Sequence, residues 1–118
     1  MNTVHLIGRL GRNPQTRYPA SEEDTAVSHY VLAVNDYSRK NSVAYIRCTA
    51  FGKYAEFAEN YFYKGLKVAV SGRLVTGSYK DKTDRNVYTT EVIVEKQEFA
   101  ETRGRASAEN SKEALPYS

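Results

Sequence analysis

The chain contains few of the residues that build disulfides, metal sites and membrane spans. Cys48 is its one cysteine, and its two histidines are His5 and His29. An intramolecular disulfide and a multi-cysteine metal site are therefore excluded, and the histidines are too few for most catalytic zinc sites. The longest apolar runs reach about five residues, whereas a transmembrane helix needs about 20. With an N-terminus unlike a signal peptide, these absences predict a cytoplasmic, reduced setting.

Motifs of the common enzyme classes are also missing. The sequence has no Gly-rich phosphate loop, no GxSxG nucleophile elbow and no HExxH zinc motif. We therefore expect a protein that is not an enzyme and that needs no cofactor. A metal-dependent nuclease is the enzymatic alternative, with Asp81 and Asp84 as its nearest pair of carboxylates.

Tyrosine is the residue present in excess. Ten Tyr and four Phe occur without any Trp, and a small core has little use for ten phenol hydroxyls. The length of 118 residues, with 41% hydrophobic and 26% charged residues, fits one globular domain. The formal net charge is only +3, so a nucleic-acid partner would depend on cations placed locally.

Alternating apolar and polar residues predict five strands. They cover Thr3–Leu10, Val27–Asn35, Val43–Phe51, Lys67–Val75 and Val87–Phe99. Lys53–Lys64 instead has apolar residues at helical spacing, and Gly65 follows where a C-terminal cap belongs. This order predicts an all-β OB-fold, a five-stranded Greek-key barrel with one helix between strands 3 and 4.

The end of the chain differs in composition from the rest. Residues 103–118 are rich in Ala, Ser, Glu and Arg and have little apolar content, which predicts a flexible tail. The expected organisation is an OB-fold domain over residues 1–100 and a short flexible C-terminal tail over residues 101–118.

The third predicted strand places rings and a cation on its outer face. Because side chains alternate along a strand, one set points outward and the other, small and apolar, points into the barrel. The outward set is Tyr45, Arg47, Thr49 and Phe51. Rings stack on bases and cations neutralise phosphates, so this pattern is typical of single-stranded nucleic-acid binding. On this strand alone, a second hydrophobic layer or a subunit interface explains the rings equally well.

Further rings and cations flank this face. The polar loop predicted over Thr76–Asn86 presents Tyr79 beside Lys80, with a solvated hairpin tip as the alternative explanation. Tyr37 lies in the loop between the second and third strands. Cations of the first strand, the loops and the fourth strand are Arg9, Arg12, Arg17, Arg39, Lys40 and Arg73.

Three side chains with reactive groups have simpler explanations. His5 is expected at the surface or at an interface. His29 shares a strand face with Val31, and no carboxylate or second histidine is near it in sequence. Cys48 points inward and is expected to be a small buried hydrophobic residue.

Short motifs recur along the domain in a fixed order. They are Gly8-Arg9-Leu10, Asn13-Pro14, Arg17-Tyr18, Leu32-Ala33-Val34-Asn35, Phe51-Gly52-Lys53, Ala55-Glu56, Lys64-Gly65, Gly72-Arg73-Leu74 and Tyr88-Thr89-Thr90-Glu91-Val92. Their order and spacing resemble the bacterial and phage single-stranded DNA-binding protein family, from about Asn2 to Phe99. The resemblance implies an OB-fold that assembles as a homotetramer. It also implies a nucleoid-associated protein that wraps single-stranded DNA without sequence preference in replication, recombination and repair.

The resemblance also implies site residues. The base-stacking aromatics of the family match Tyr37, Tyr45, Phe51 and Tyr79, three of which are commonly Trp. Its phosphate contacts match Lys53, Arg73 and the first-loop arginines, with Lys80 as an addition. The DNA-binding set expected from the strand pattern and the resemblance together is Arg9, Arg12, Tyr37, Tyr45, Arg47, Phe51, Lys53, Arg73, Tyr79 and Lys80.

The C-terminal residues depart from the family pattern. Family members typically end in an acidic tip that finishes in Asp residues, Leu or Ile, Pro and Phe. Here the sequence Leu115-Pro116-Tyr117 only echoes that ending, and Glu113 is its sole acid. Recruitment of protein partners through the tail is therefore not expected. An accessory, phage or mobile-element copy and a truncated form of a longer protein both fit this ending. An OB domain that acts as a protein–protein adaptor is the non-enzymatic alternative.

Overall fold

The computed structural model of the chain describes residues 1–20, 25–38 and 41–101. Within these residues, six strands and one helix follow one another: β1 (Val4–Leu10), β2 (Gln15–Arg17), β3 (Val27–Asp36), β4 (Ser42–Phe51), α1 (Lys53–Tyr61), β5 (Lys67–Lys80) and β6 (Asn86–Phe99). Arg39, Lys40 and the predicted tail from residue 102 onward lie outside the described residues.

Five of the strands close into a barrel. Hydrogen-bonded neighbours follow the order β1, β5, β6, β4 and β3, and β1 returns to β3 through Leu10 and Leu32. The short strand β2 lies beside β3, outside this ring. All described pairings are antiparallel except that of β4 with β6. The predicted OB-fold is confirmed, with α1 between the third and fourth strands of the barrel.

Alternate residues of the barrel strands fill the core. Leu32, Val68 and Val92 are fully buried, and each such aliphatic side chain contributes about 1.5–3 kcal/mol by leaving water. Cys48 lies among them, as predicted. Burial, with a further effect from the negative charge of Glu91, raises the pKa of the Cys48 thiol to about 12.

One buried hydrogen-bond chain joins the barrel to the helix. The Tyr30 hydroxyl donates to Oε1 of Gln97 at 2.7 Å, and Nε2 of Gln97 donates to the carbonyl oxygen of Tyr54 in α1 at 2.7 Å. Burial raises the pKa of the Tyr30 phenol far above its ordinary value. The edge of the Phe62 ring also packs on Tyr30, with ring centroids 5.6 Å apart.

The helix ends earlier than predicted. Its last residue is Tyr61 rather than Lys64, because Phe62 turns to an extended conformation and buries its ring in the core. The predicted role of Gly65 as the helix cap is also wrong. Gly65 lies in the turn that follows, at φ 91°, where its N–H donates to the carbonyl oxygen of Leu10. Such a positive φ favours glycine.

The hairpin of β5 and β6 extends beyond the predicted strand ends. The polar loop predicted over Thr76–Asn86 is wrong, because β5 continues to Lys80 and β6 begins at Asn86. Only residues 81–85 form the tip. There, Oδ1 of Asp81 accepts hydrogen bonds from the backbone N–H groups of Thr83 and Arg85. The hydrogen bonds from Arg85 and Thr83 lower the pKa of the Asp81 carboxyl.

Candidate nucleic-acid interface

β4 and β6 are paired along only a short part of their length. The described pairs between them are Cys48 with Val92 and Thr49 with Ile93. On the N-terminal side of these pairs the two parallel strands diverge, although β4 stays paired with β3 and β6 with β5. The gap between them is a cleft of about 460 Å³, which we call the first cleft.

Three tyrosine rings line the first cleft. Tyr45 of β4 forms one wall, and Tyr79 of β5 and Tyr88 of β6 belong to the hairpin on the other side. Their exposed fractions are 70%, 57% and 75%, so the ring faces are accessible to a flat ligand. Arg47 of β4 and Glu91 of β6 supply the charged groups of the same cleft.

Sequence reasoning found Tyr45 and Tyr79 but not Tyr88. Tyr88 lies opposite Ser78 in the hairpin and has the same strand parity as the core residue Val92. Parity separates inside from outside only where the barrel covers one face of a strand. Because the hairpin extends past the barrel, the face of β6 that carries Tyr88 is exposed there, and no pattern in the sequence marks that change.

A second cleft adjoins the first. Its volume is about 250 Å³, and Arg47 and Glu91 line both clefts. Arg12 from the loop after β1 and His29 of β3 complete its charged and titratable lining near the surface. The second cleft is therefore more basic than the first and carries none of the three exposed tyrosines.

Thr49 does not point into solvent as the strand pattern predicts. It is only 3% exposed, because its hydroxyl lies between two polar partners. Its Oγ1 donates to Oε1 of Glu91 at 2.9 Å, and Nδ1 of His29 lies 3.1 Å from the same oxygen. The carboxylate that His29 lacks in sequence is supplied by β6 from the other end of the chain.

The sequence comparisons place this barrel in a family. A sequence model described as the single-strand binding protein family matches residues 1–100. The chain belongs to the single-strand binding protein family.

Curated proteins similar to the chain carry the same description. The single-stranded DNA-binding protein of Clostridium perfringens is 41% identical over 111 residues, which cover 94% of this chain and 73% of that protein. The single-stranded DNA-binding protein B of Bacillus subtilis is 39% identical over 111 residues, covering 91% of this chain and 96% of that protein. The single-stranded DNA-binding protein 2 of Listeria innocua is 37% identical over 116 residues, covering 94% and 71%.

Three cations expected to face DNA in this single-strand binding protein are engaged in ion pairs. Their N–O distances are 3.1 Å for Arg9 with Glu101, 3.6 Å for Arg73 with Glu95 and 3.4 Å for Lys80 with Asp84. The pairs of Arg73 and Lys80 are exposed to solvent, where an ion pair contributes about 0–1 kcal/mol, so a phosphate can replace the carboxylate at little cost. Arg9 is held by more contacts, because it also donates to the carbonyl oxygen of Gly65 and Glu101 also accepts from the N–H of Lys67.

Three other cations of the expected set form no ion pair with a residue that the structure describes. Arg12 and Arg47 line the clefts, and Lys53 is the first residue of α1. All three are exposed. Without a carboxylate to displace, these side chains are the more readily available partners for an anion.

The remaining aromatic residues of the expected set lie outside both clefts. Tyr37 follows β3 in the turn before β4 and is 91% exposed, and Phe51 ends β4 and is 42% exposed. Exposed rings therefore lie in the turn before β4, at Tyr37, and at the last residue of β4, Phe51, a strand of ten residues or about 30 Å. The expected set forms an extended surface, as a linear polymer requires, and not one compact pocket.

Asp81 and Asp84, the carboxylates of the nuclease alternative, form hydrogen bonds and an ion pair within the β5–β6 hairpin. Asp81 accepts three hydrogen bonds from Thr83 and Arg85, and Asp84 has a positive φ of 64° and pairs with Lys80. Residues 1–20, 25–38 and 41–101 contain no group of three or more His, Cys, Asp or Glu residues that could hold a metal ion. No helix in this part of the chain is long and apolar enough to cross a membrane.

Proposed function

We propose that the chain is a sequence-independent single-stranded DNA-binding protein, without enzymatic activity, that coats and protects DNA in replication, recombination and repair. The observation that carries the proposal is the first cleft, in which tyrosine rings on both walls flank Arg47 in a member of the single-strand binding protein family. The similar curated proteins are named for the same activity.

Base stacking on the cleft tyrosines is the first part of the mechanism. Every base has a π-face, so a ring accepts any base, at about 1–3 kcal/mol per stacked base. Tyr45, Tyr79 and Tyr88 are exposed enough to present a face. Tyr37, in the turn before β4, and Phe51, at the end of β4, extend the stacking surface beyond the clefts.

Phosphate neutralisation is the second part. Arg12, Arg47 and Lys53 contact phosphates directly, because they form no ion pair with a described residue. Arg9, Arg73 and Lys80 contact phosphates by exchanging their carboxylate partners. Each contact releases counterions, so the affinity falls with salt by about 0.7 log unit per log unit of salt for every phosphate contacted.

Assembly as a homotetramer is part of the proposal. In β1, Val4–Arg9 pair with β5 along one edge, but only Arg9 and Leu10 pair with β3 along the other. The second edge of Val4–Ile7 has no strand paired with it among the described residues, and Ile7 is 57% exposed. An open edge with an exposed apolar side chain favours pairing with a second copy of the strand.

We also propose the organisation and the location of the protein. Residues 1–100 are the binding domain, and residues 101–118 lie outside it. The protein acts in the cytoplasm, at the nucleoid, where single-stranded DNA forms during replication.

A titration with oligo-dT of increasing length, with light-scattering mass measured alongside, tests the proposal. We expect saturable binding that strengthens with length, displacement by unlabelled strands of mixed sequence, and the mass of a tetramer. A protein–protein adaptor would bind oligo-dT no better than a basic control protein of equal net charge. Degradation of labelled strand in the presence of Mg²⁺ would instead identify a nuclease.

A further inference from the structure

A chain of three side chains crosses the second cleft. Nδ1 of His29 lies 3.1 Å from Oγ1 of Thr49, and Thr49 Oγ1 lies 2.9 Å from Oε1 of Glu91. A carboxylate only accepts hydrogen bonds, so the Thr49 hydroxyl donates to Glu91 and its oxygen accepts from the N–H at Nδ1 of His29. Nδ1 therefore carries the hydrogen of the neutral ring, and Nε2 is the nitrogen that takes up a further proton.

The charged groups near the His29 ring come from four neighbouring parts of the fold. Arg12 lies in the loop after β1 and Arg47 on β4, and both line the second cleft with His29. Glu91 of β6 is the negative group. Arg17 of β2 lies opposite Val27, one step further along the same strand face.

The other groups packed around His29 add no charge near neutral pH. Gln15 of β2 pairs directly with His29 and is uncharged. Tyr30 and Cys48 line the base of the cleft, and burial raises the pKa of both side chains. A proton on His29 therefore changes the balance in the cleft from two positive charges against one negative charge to three against one.

The second cleft also lies on the path of a strand bound in the first. Arg47 and Glu91 line both clefts, so a nucleotide whose base stacks on Tyr45 has its backbone within reach of the second cleft. A phosphate there meets two arginines with fork-shaped donor groups, which suit phosphate oxygens. The Glu91 carboxylate opposes the anion, and a proton on His29 offsets that opposition.

We infer that the second cleft holds a backbone phosphate of the bound strand and that His29, held by Thr49 and Glu91, makes a proton-dependent contact with it. The inference rests on the proposed function, because the strand reaches the second cleft from the first. A phosphate stabilises the imidazolium form, so binding takes up a proton. By linkage, the affinity rises as the pH falls through the range in which histidine ordinarily changes charge, about pH 5 to 8.

Affinity measurements at several pH values on matched variants test the inference. Labelled oligo-dT is titrated by fluorescence anisotropy at pH 5.5, 6.5 and 8 with the native chain, His29→Asn and His5→Asn. Asparagine keeps a side-chain N–H donor for Thr49 but gains no charge. His5 is the matched control, because it is the second of the two histidines and lies by Ser71, outside both clefts.

The native chain and His5→Asn are expected to bind about fivefold more tightly at pH 5.5 than at pH 8, the scale of one exposed charge pair. Their salt dependence is also expected to steepen at pH 5.5 by about 0.7 log unit per log unit of salt, which corresponds to one more phosphate contact. His29→Asn is expected to show neither change.

A measurement on the native chain alone avoids any effect of substitution on folding. The ring C–H resonances of the two histidines are followed against pH with and without oligo-dT, and the midpoint for His29, but not for His5, is expected at higher pH with DNA. An unmoved His29 midpoint, or full pH dependence in folded His29→Asn, overturns the inference while DNA binding stands. Absence of oligo-dT binding by the native chain at every pH overturns the proposed function, and the inference with it.

Discussion

Tyr45 and Tyr79 lie on opposite walls of the first cleft, one on β4 and the other on the far strand of the β5–β6 hairpin. The two residues are 34 positions apart in sequence and belong to strands that are not neighbours in the sheet. The divergence of β4 and β6 creates the space between their rings. A base that enters the cleft can therefore meet an aromatic face from either side.

Removal of one cleft ring is expected to weaken DNA binding without affecting the fold. Tyr79→Ala should lower the affinity for oligo-dT about tenfold, since one stacked base contributes about 1–3 kcal/mol. Tyr63→Ala is the control, because Tyr63 is also exposed, at 43%, but lies between α1 and β5, outside both clefts. Anisotropy titrations of both variants make the comparison, and equal losses in the two would argue against the first cleft as the stacking site.

Removal of the ring at the end of β4 is expected to have a similar effect. Phe51→Ala should weaken oligo-dT binding at least about tenfold. The ring is 42% exposed, so its removal leaves the barrel core intact, and circular dichroism should show an unchanged fold. Unaltered affinity in the folded variant would show that DNA does not reach the C-terminal end of β4.

The salt dependence of DNA affinity should differ between Arg47, which has no ion pair with a described residue, and Arg73, which has one. Arg47→Gln is expected to lower the magnitude of the log–log salt slope by about 0.7, the contribution of one phosphate contact. Arg73→Gln removes the same charge from an arginine that is already paired with Glu95 at 3.6 Å. Its effect should be smaller, and a larger loss of slope in Arg73→Gln would contradict the assignment. Titrations from low to moderate salt give both slopes.

One glycine of β5 is expected to tolerate no side chain. A Cβ atom at Gly72 would lie 2.0 Å from the carbonyl oxygen of Ile93, at the irregular pairing next to Ser71. Because a backbone atom blocks the space, Gly72→Ala should destabilise the fold by about 3 kcal/mol. Gly77→Ala in the same strand is the control, since its nearest neighbour is the Thr89 hydroxyl at 3.4 Å. Urea unfolding of the two variants measures the difference, and equal stabilities would contradict the tight approach at Gly72.

The buried hydroxyl of Tyr30 is expected to stabilise the contact between barrel and helix. Tyr30→Phe leaves Oε1 of Gln97 without its donor in the core, which should cost about 1–3 kcal/mol of unfolding free energy. Tyr88→Phe removes a hydroxyl from a ring that is 75% exposed and should change the stability by less than about 0.5 kcal/mol. Thermal unfolding of both variants provides the test, and a loss in Tyr88→Phe as large as in Tyr30→Phe would speak against it.

The strands of the barrel were predictable from the sequence because most of them bury only one face, which gives alternating apolar and polar residues. In β3, for example, Tyr30 and Leu32 alternate with less buried residues, and the alternation is visible in the sequence. The prediction failed where that rule stops. The three residues of β2 are too few to show a period. Every residue of β5 from Thr76 to Lys80 is exposed, so the alternation that predicts a strand is absent there.

The candidate site was predicted only in part, for a related reason. Tyr45 and Arg47 were found because they are neighbours on one strand face. The contact of Thr49 with Glu91 was not, because it depends on the two-residue parallel pairing between β4 and β6. The pairing of two distant strands determines which of their side chains are in contact. The alternation within a single strand does not predict that pairing. The same holds for the ion pair of Arg9 with Glu101.

The divergence of β4 and β6 has a consequence for how a strand enters. The first cleft is bounded by two strands that meet only at Cys48 and Thr49 with Val92 and Ile93, so it is an open channel and not a ring. For a protein that binds single-stranded DNA, entry is then sideways, and no free 5′ or 3′ end is needed. Closed circles and gaps between duplex regions are as accessible to such a channel as a linear oligonucleotide.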